Sequence, residues 1–304
     1  MQVAEGLPRS FEVTQVSSPA RERLERFDVK WSAQRSRKIA RGSLGVVVFT
    51  VALALALHIS QFDLARLIAG LPKTGDFLVG MVPPLRWQSL WSDVSGWYWG
   101  FAKWMKLLWT TLMIALFGTG SGTIVGGVMS FFAARNLGCD PRITFVVRRG
   151  LEVTRTVPDL VWALIFLSAF GVGPLPGALA ILVHTVGAQG KLLAEVNENA
   201  DMKPLDGVRS TGGAWADEIA VGLLPQVMPV YVSYALWRFE MNIRSATIIG
   251  FVGAGGIGME LYEAISLNYF DDAGAILVIV FVSVALIDVV SESIRMRIAG
   301  AAAR

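Results

Sequence analysis

One cysteine, Cys139, stands in 304 residues, so no internal disulfide and no cysteine-based metal centre can form. The two histidines, His58 and His184, lie far apart in apolar runs, which argues against a histidine-rich metal centre or a histidine-based hydrolase. Charge is scarce as well. Charged residues make up 17% of the chain, against about a quarter in soluble domains. The net charge of +3 is too small to argue for nucleic acid. No P-loop is present: Gly190-Lys191 lacks the preceding glycine and the following Ser or Thr, so the chain is expected to hydrolyse no ATP of its own. The start of the chain is polar and charged and does not read as a cleaved leader.

What the chain has instead is apolar residues gathered into long blocks: 54% are hydrophobic and the mean hydropathy is +0.54. Six runs, near 42–60, 106–133, 150–170, 178–193, 226–252 and 273–290, approach the length that crosses a bilayer as a helix. An all-α polytopic helix bundle of about six spans follows. Arg21, Arg23, Arg26, Lys30, Arg35, Arg37, Lys38 and Arg41 make residues 1–41 a basic arm, expected on the cytoplasmic side, and 42–304 the membrane domain. Basic residues Arg135, Arg142, Arg148 and Arg149 mark an inner turn and the uncharged Gly171–Gly177 segment an outer one, so both termini are expected in the cytoplasm. Residues 61–105, with Trp87, Trp91, Trp97, Trp99 and Trp104, are expected to lie along the outer interface.

Three patterns inside the runs carry physical content. Gly118, Gly122 and Gly126 recur at every fourth position, one helix face where backbones can approach closely. Glu152, Arg155 and Asp159 fall at i, i+3 and i+7, a ladder of ion pairs if the third run is one helix. The fifth run holds Arg238, Glu240, Asn242 and Arg244, charges that normally face a bundle interior or a watery path. Glu240 and Arg244 can neutralise each other at i, i+4, which leaves Arg238 as surplus positive charge. Gly253-Ala-Gly255-Gly-Ile-Gly258 matches GxGxxG in letters only. It follows an apolar helix rather than a strand and is read as a helix break.

Residues 194–225 are the polar interlude. Asp206 is expected to cap a short helix, Gly212-Gly213 to end it through positive φ, and Pro225 to restart the chain at the next span. The result is a compact helix–turn–helix suited to docking on a soluble partner. Its order of Asp206-Gly207-Val208, Gly212, Ile219 and Leu224-Pro225 resembles the EAA loop of ABC-importer permeases, with Asp-Gly-Val standing where that family has Glu-Ala-Ala. Further segments resemble the phosphonate-importer permease family: Arg155-Thr-Val-Pro158-Asp159-Leu-Val-Trp162, Gly171-Val-Gly-Pro174, Leu182-Val-His184-Thr-Val-Gly187, Gly190-Lys191-Leu and Asn242 to Gly258, in order along most of the chain.

This resemblance implies a type I ABC-importer permease in the bacterial inner membrane, a homodimer paired with two ATPase subunits and an extracytoplasmic binding protein. ATP and Mg would be held by the partner ATPase and no cofactor by this chain. Asp206, Gly207, Val208, Gly212, Ile219, Leu224 and Pro225 would couple to the ATPase. Arg155, Asp159, Arg238, Glu240 and Arg244 are the candidates to line a path for a phosphorus oxyanion. Two other classes use similar materials. A secondary transporter also carries intramembrane charge, but its usual repeated halves are not evident here. A membrane phosphohydrolase needs a nucleophile with a base, and no such spacing surrounds either histidine.

Overall fold

A computed structural model describes residues 18–84 and 86–302, and the regular structure among them is entirely helical. The chain divides into two compact units, residues 1–73 and 74–304. In the first, α1 (Ser18–Ile59) runs unbroken from the basic arm into the first apolar run. The boundary near residue 41 is a change of side chains and not of backbone. Residues 38–59 are exposed throughout, as expected of an apolar surface that meets lipid. The first 17 residues of the arm, and the side chains of Arg21, Arg35 and Arg37, lie outside the described residues. α2 (Leu64–Gly80) begins in this unit.

The second unit is a helix bundle. After α3 (Leu90–Trp97) come α4 (Phe101–Ala133), α5 (Pro141–Thr156), α6 (Asp159–Phe170) and α7 (Pro174–Glu198). Then follow α8 (Lys203–Ser210), α9 (Trp215–Asp217), a π-helical turn (Glu218–Leu223), α10 (Leu224–Gly250), α11 (Ile257–Ser266) and α12 (Phe270–Ala302). Among the described residues five helices are long and apolar enough to cross a membrane, and the bent pair α5–α6 makes a sixth if counted as one broken span.

α4 lies along α7, and the glycine stripe explains why. A methyl group on Gly118 would meet Ile181, one on Gly122 would meet Thr185, and one on Gly126 would meet the Val186 carbonyl and the Gly190 amide. Gly187 and Gly190 of α7 play the same part toward α5, where Leu151 and Thr154 press in. Gly190 is thus a packing residue, and its neighbour Lys191 faces Glu152 at 3.8 Å and Glu195 at 3.9 Å.

The expectation of one continuous third span is corrected. α5 and α6 meet at 88°, with Val157 and Pro158 at the break. Pro158 has no amide hydrogen to donate and pushes Val157 into extended geometry (φ −77°, ψ 123°). Asp159 is thereby turned away from Glu152 and Arg155, and the ion-pair ladder does not form. Glu152 pairs with Arg149 and Lys191 instead.

The tryptophan segment also divides. Trp87, Trp91 and Trp99 are exposed, but Trp104 is buried against Leu108, Ile257, Leu261 and Ile276, and Trp97 packs at the edge of the same cluster. The glycine-rich break behaves as its composition suggests. α10 stops at Gly250, and Gly253, Gly255 and Gly256 all take positive φ. The Gly253 carbonyl accepts from the Gly173 amide at 3.1 Å, pinning the α6–α7 turn to this break.

Candidate functional site

The polar interlude sits at the end of the bundle where α4 and α7 finish and α10 begins. Leu205 of α8 is buried with Ala134, Leu137, Leu193, Leu223, Val227 and Tyr231, so one face of the short helix is anchored in the core. The other face carries Lys203, Asp206, Gly207, Arg209 and Ser210 into the open. The expected capping role of Asp206 is corrected. Met202 occupies the N-cap, and Pro204 with its preset φ starts the helix earlier. The Lys203 amide donates instead to Asp201 at 3.0 Å, and Asp206 pairs with Arg209 at 3.4 Å.

Gly212 takes φ +83°, the left-handed conformation that the sequence required of it. Its amide donates to the Arg209 carbonyl at 3.0 Å and that of Gly213 to the Val208 carbonyl at 3.2 Å, the double closure of a Schellman turn. Gly213 has ordinary φ and is needed for space, because a methyl there would strike Val208. Across this turn Arg209 grips Glu218 with two parallel bonds, Nε to Oε1 at 2.9 Å and Nη2 to Oε2 at 2.8 Å. Such a fork fixes direction as well as distance. Trp215 donates from Nε1 to the Leu137 carbonyl at 2.8 Å, tying α9 to the segment after α4. Ile219 is buried, Pro225 stands in the first turn of α10, and Leu224 is half-buried. The whole assembly is one braced arm continuous with α10.

The intramembrane charges separate into two groups. Glu240 and Arg244 are joined as expected at 3.0 Å, but Arg244 also binds Asp288 of α12 at 2.9 Å, and Arg295 approaches Glu240 at 3.5 Å. Two acids and two bases close a network between α10 and α12. Arg155 is exposed. Arg238 is different: half-buried, it has no hydrogen-bond or ion-pair partner among the described residues. Charge at mid-span costs roughly 2.5–3.5 kcal/mol on insertion scales. His184 of α7 adjoins Thr185, which Asn242, four residues beyond Arg238 on α10, binds at 2.9 Å, and Asp159 opens α6.

Residues 122–299 match the family described as binding-protein-dependent transport system inner membrane components. The chain belongs to this family. A phosphite transport system permease protein of Stutzerimonas stutzeri is 34% identical over 82% of this chain and 86% of its own length. A phosphate-import permease protein of Mycolicibacterium smegmatis is 34% identical over 93% of this chain and 48% of its own. Among solved structures, one of the MetNI methionine ABC transporter in an inward-facing conformation aligns with a TM-score of 0.56 at 17% identity. It covers 64% of this chain and 95% of that one, a likeness of fold. The architecture is that of type I ABC-importer permeases.

Sequence reasoning missed several residues that hold this permease together. The Arg209–Glu218 fork was visible as opposite charges on either side of the Gly-Gly turn. The ties of Asn242 were not, because they join distant helices. Its Nδ2 donates to Thr119 of α4 at 2.8 Å and to Thr185 of α7 at 2.9 Å. Nearer α8, Tyr231 donates to Asn197 at 2.8 Å, and Asn197 donates to Ser130 at 3.0 Å.

Proposed function

We propose that this permease carries a phosphorus oxyanion such as phosphite, phosphonate or phosphate inward across the bacterial inner membrane, driven by ATP hydrolysed on a partner. The names of its relatives, one for phosphite transport and one for phosphate import, support the substrate class. The working assembly is two copies of this chain, two ATPase subunits and an extracytoplasmic binding protein. ATP and Mg stay with the ATPase, and this chain binds no cofactor of its own. Both termini and residues 194–225 face the cytoplasm, and residues 61–105 face outward.

The observation that carries the reading is the braced α8. It exposes a polar ridge, and its buried face, Schellman turn and arginine fork make it rigid with α10. A helix that seats in a groove of the ATPase through Asp206, Gly207 and Val208 can pass the closure of that ATPase straight into α10. Gly212, Ile219, Leu224 and Pro225 hold the arm's shape. Motion of α10 would carry Arg238 with it and switch the access of the bundle.

The test compares wild type with Gly207→Trp, each tagged and purified from the native membrane. Gly207 has open space around its Cα and lies on the exposed face, so the tryptophan should leave the fold intact. ATPase activity that co-elutes with wild type and is lost with the variant is expected. Its absence from a folded wild-type preparation would sink the reading.

A further inference from the structure

We infer that His184 and Arg238 form a mid-span contact site for a single tetrahedral oxyanion, flanked by Asp159. The inference rests on the importer reading above and extends it to a histidine that sequence reasoning had set aside.

Three observations converge. The Nδ1 atom of His184 is buried without a hydrogen-bond partner, an unusual state for a polar atom in a packed interior. Arg238, on the facing helix, is likewise without a hydrogen bond or ion pair among the described residues. Yet α7 and α10 are tied on both sides of Arg238: Asn242 donates to Thr185, the neighbour of His184, at 2.9 Å, and Gln189 donates to the Tyr234 carbonyl at 2.8 Å. The two groups therefore share one region, with Asp159 of α6 in electrostatic reach. The contrast with the neighbouring charges is informative. Six residues along α10, Arg244 is saturated by Glu240 and Asp288. The bundle therefore has the means to neutralise an arginine and does not apply them to Arg238.

A ligand that satisfies both orphans must accept hydrogen bonds from a planar guanidinium and an imidazole N–H while bringing negative charge. An oxyanion of phosphorus does so through two or three of its oxygens. Among the described residues Asp159 accepts only from the amide of Leu160, at 2.9 Å, which leaves carboxylate charge beside the site. That charge offsets Arg238 in the empty state and repels the anion once bound. The site is consequently weak, as release toward the other side requires.

The test uses the full chain in its complex, with thermal unfolding followed at constant ionic strength. The added anion is phosphite, methylphosphonate or inorganic phosphate at about 10 mM, with chloride as control; a ligand that binds only the folded state raises the midpoint. At least one of the three should raise the wild-type midpoint. Arg238→Gln should abolish the shift while leaving the midpoint without anion unchanged or higher, because it removes an unpartnered charge. His184→Leu should abolish it too, and His184→Asn, which keeps a donor near Nδ1, should restore part of it. Uptake into proteoliposomes, measured in parallel with the binding protein and ATPase present, should fall at least tenfold in the first two variants while ATP hydrolysis persists. An anion shift that survives both Arg238→Gln and His184→Leu overturns the site. So does an anion-free midpoint that falls in Arg238→Gln, which would make Arg238 a structural partner. Absence of any shift in wild type overturns it as well. If wild type shows the shift but imports none of the three anions, the site stands and the substrate reading fails.

Discussion

Two glycines five residues apart illustrate how much backbone conformation decides. Gly207 lies in α8 with helical geometry and open surroundings, whereas Gly212 is equally uncrowded but held at φ +83°. Gly207→Ala should therefore stabilise by about 0.4–1 kcal/mol through the unfolded chain. Gly212→Ala should cost about 1–2 kcal/mol, since an L side chain pays for the left-handed region. Thermal denaturation of the two solubilised variants separates these signs, and equal midpoints would contradict the turn. Cys139 offers a second check at this scale. Partial burial pushes its thiol above the ordinary thiol range, so less thiolate is present at any given pH than in a free cysteine. As the one cysteine of the chain, it reports without ambiguity. Its alkylation at pH 8 should be slower than that of an exposed thiol, and the rate should keep rising beyond pH 9. A rate equal to that of a small-molecule thiol would contradict the burial.

Elements were legible where a local period sets them. The stripe Gly118-Gly122-Gly126 was written in the sequence as a repeat of four, and it is the seam between α4 and α7. Gly120 lies on the same helix with nothing near its Cα. Gly122→Val should thus overpack the seam by on the order of 1–3 kcal/mol, while Gly120→Ala should be neutral or mildly stabilising. Measured stability that drops equally in both would remove the seam from the account. The break of the third span was harder to read. Pro158 was in view, but the runs on either side are both helical, and a proline in an apolar stretch can kink a helix or end it. Here it ends one, so Asp159 opens a new helix rather than closing a ladder. Start points shifted for a related reason. Pro204 made α8 begin before Asp206, with Met202 rather than an acid at its N-cap.

At the scale of the membrane bundle, sequence recovers which stretches are buried in lipid, because hydropathy is additive along a helix. It does not recover which polar side chains find one another across helices. In the sequence Asn242 is one polar residue among several charges, yet it joins α4, α7 and α10 through Thr119 and Thr185. The same holds for Ser130, Asn197 and Tyr231 closer to α8. These two polar ties lie on either side of Arg238 along α10, so they fix the helix that would transmit motion from α8. Interhelical hydrogen bonds in membranes contribute roughly 0.6–1.7 kcal/mol each. Asn242→Ala removes two and leaves a gap, so a loss on the order of 1–3 kcal/mol is expected. The loss should arise partly from the stranded hydroxyls, because an unpaired buried group costs more than a bond contributes. Replacing the set together, with Asn242→Leu, Thr119→Val and Thr185→Val, should therefore cost less than Asn242→Ala. That ordering distinguishes a hydrogen-bonded tie from simple packing. If the triple variant is the less stable of the two, volume rather than polarity governs the junction, and α10 is held by its shape alone.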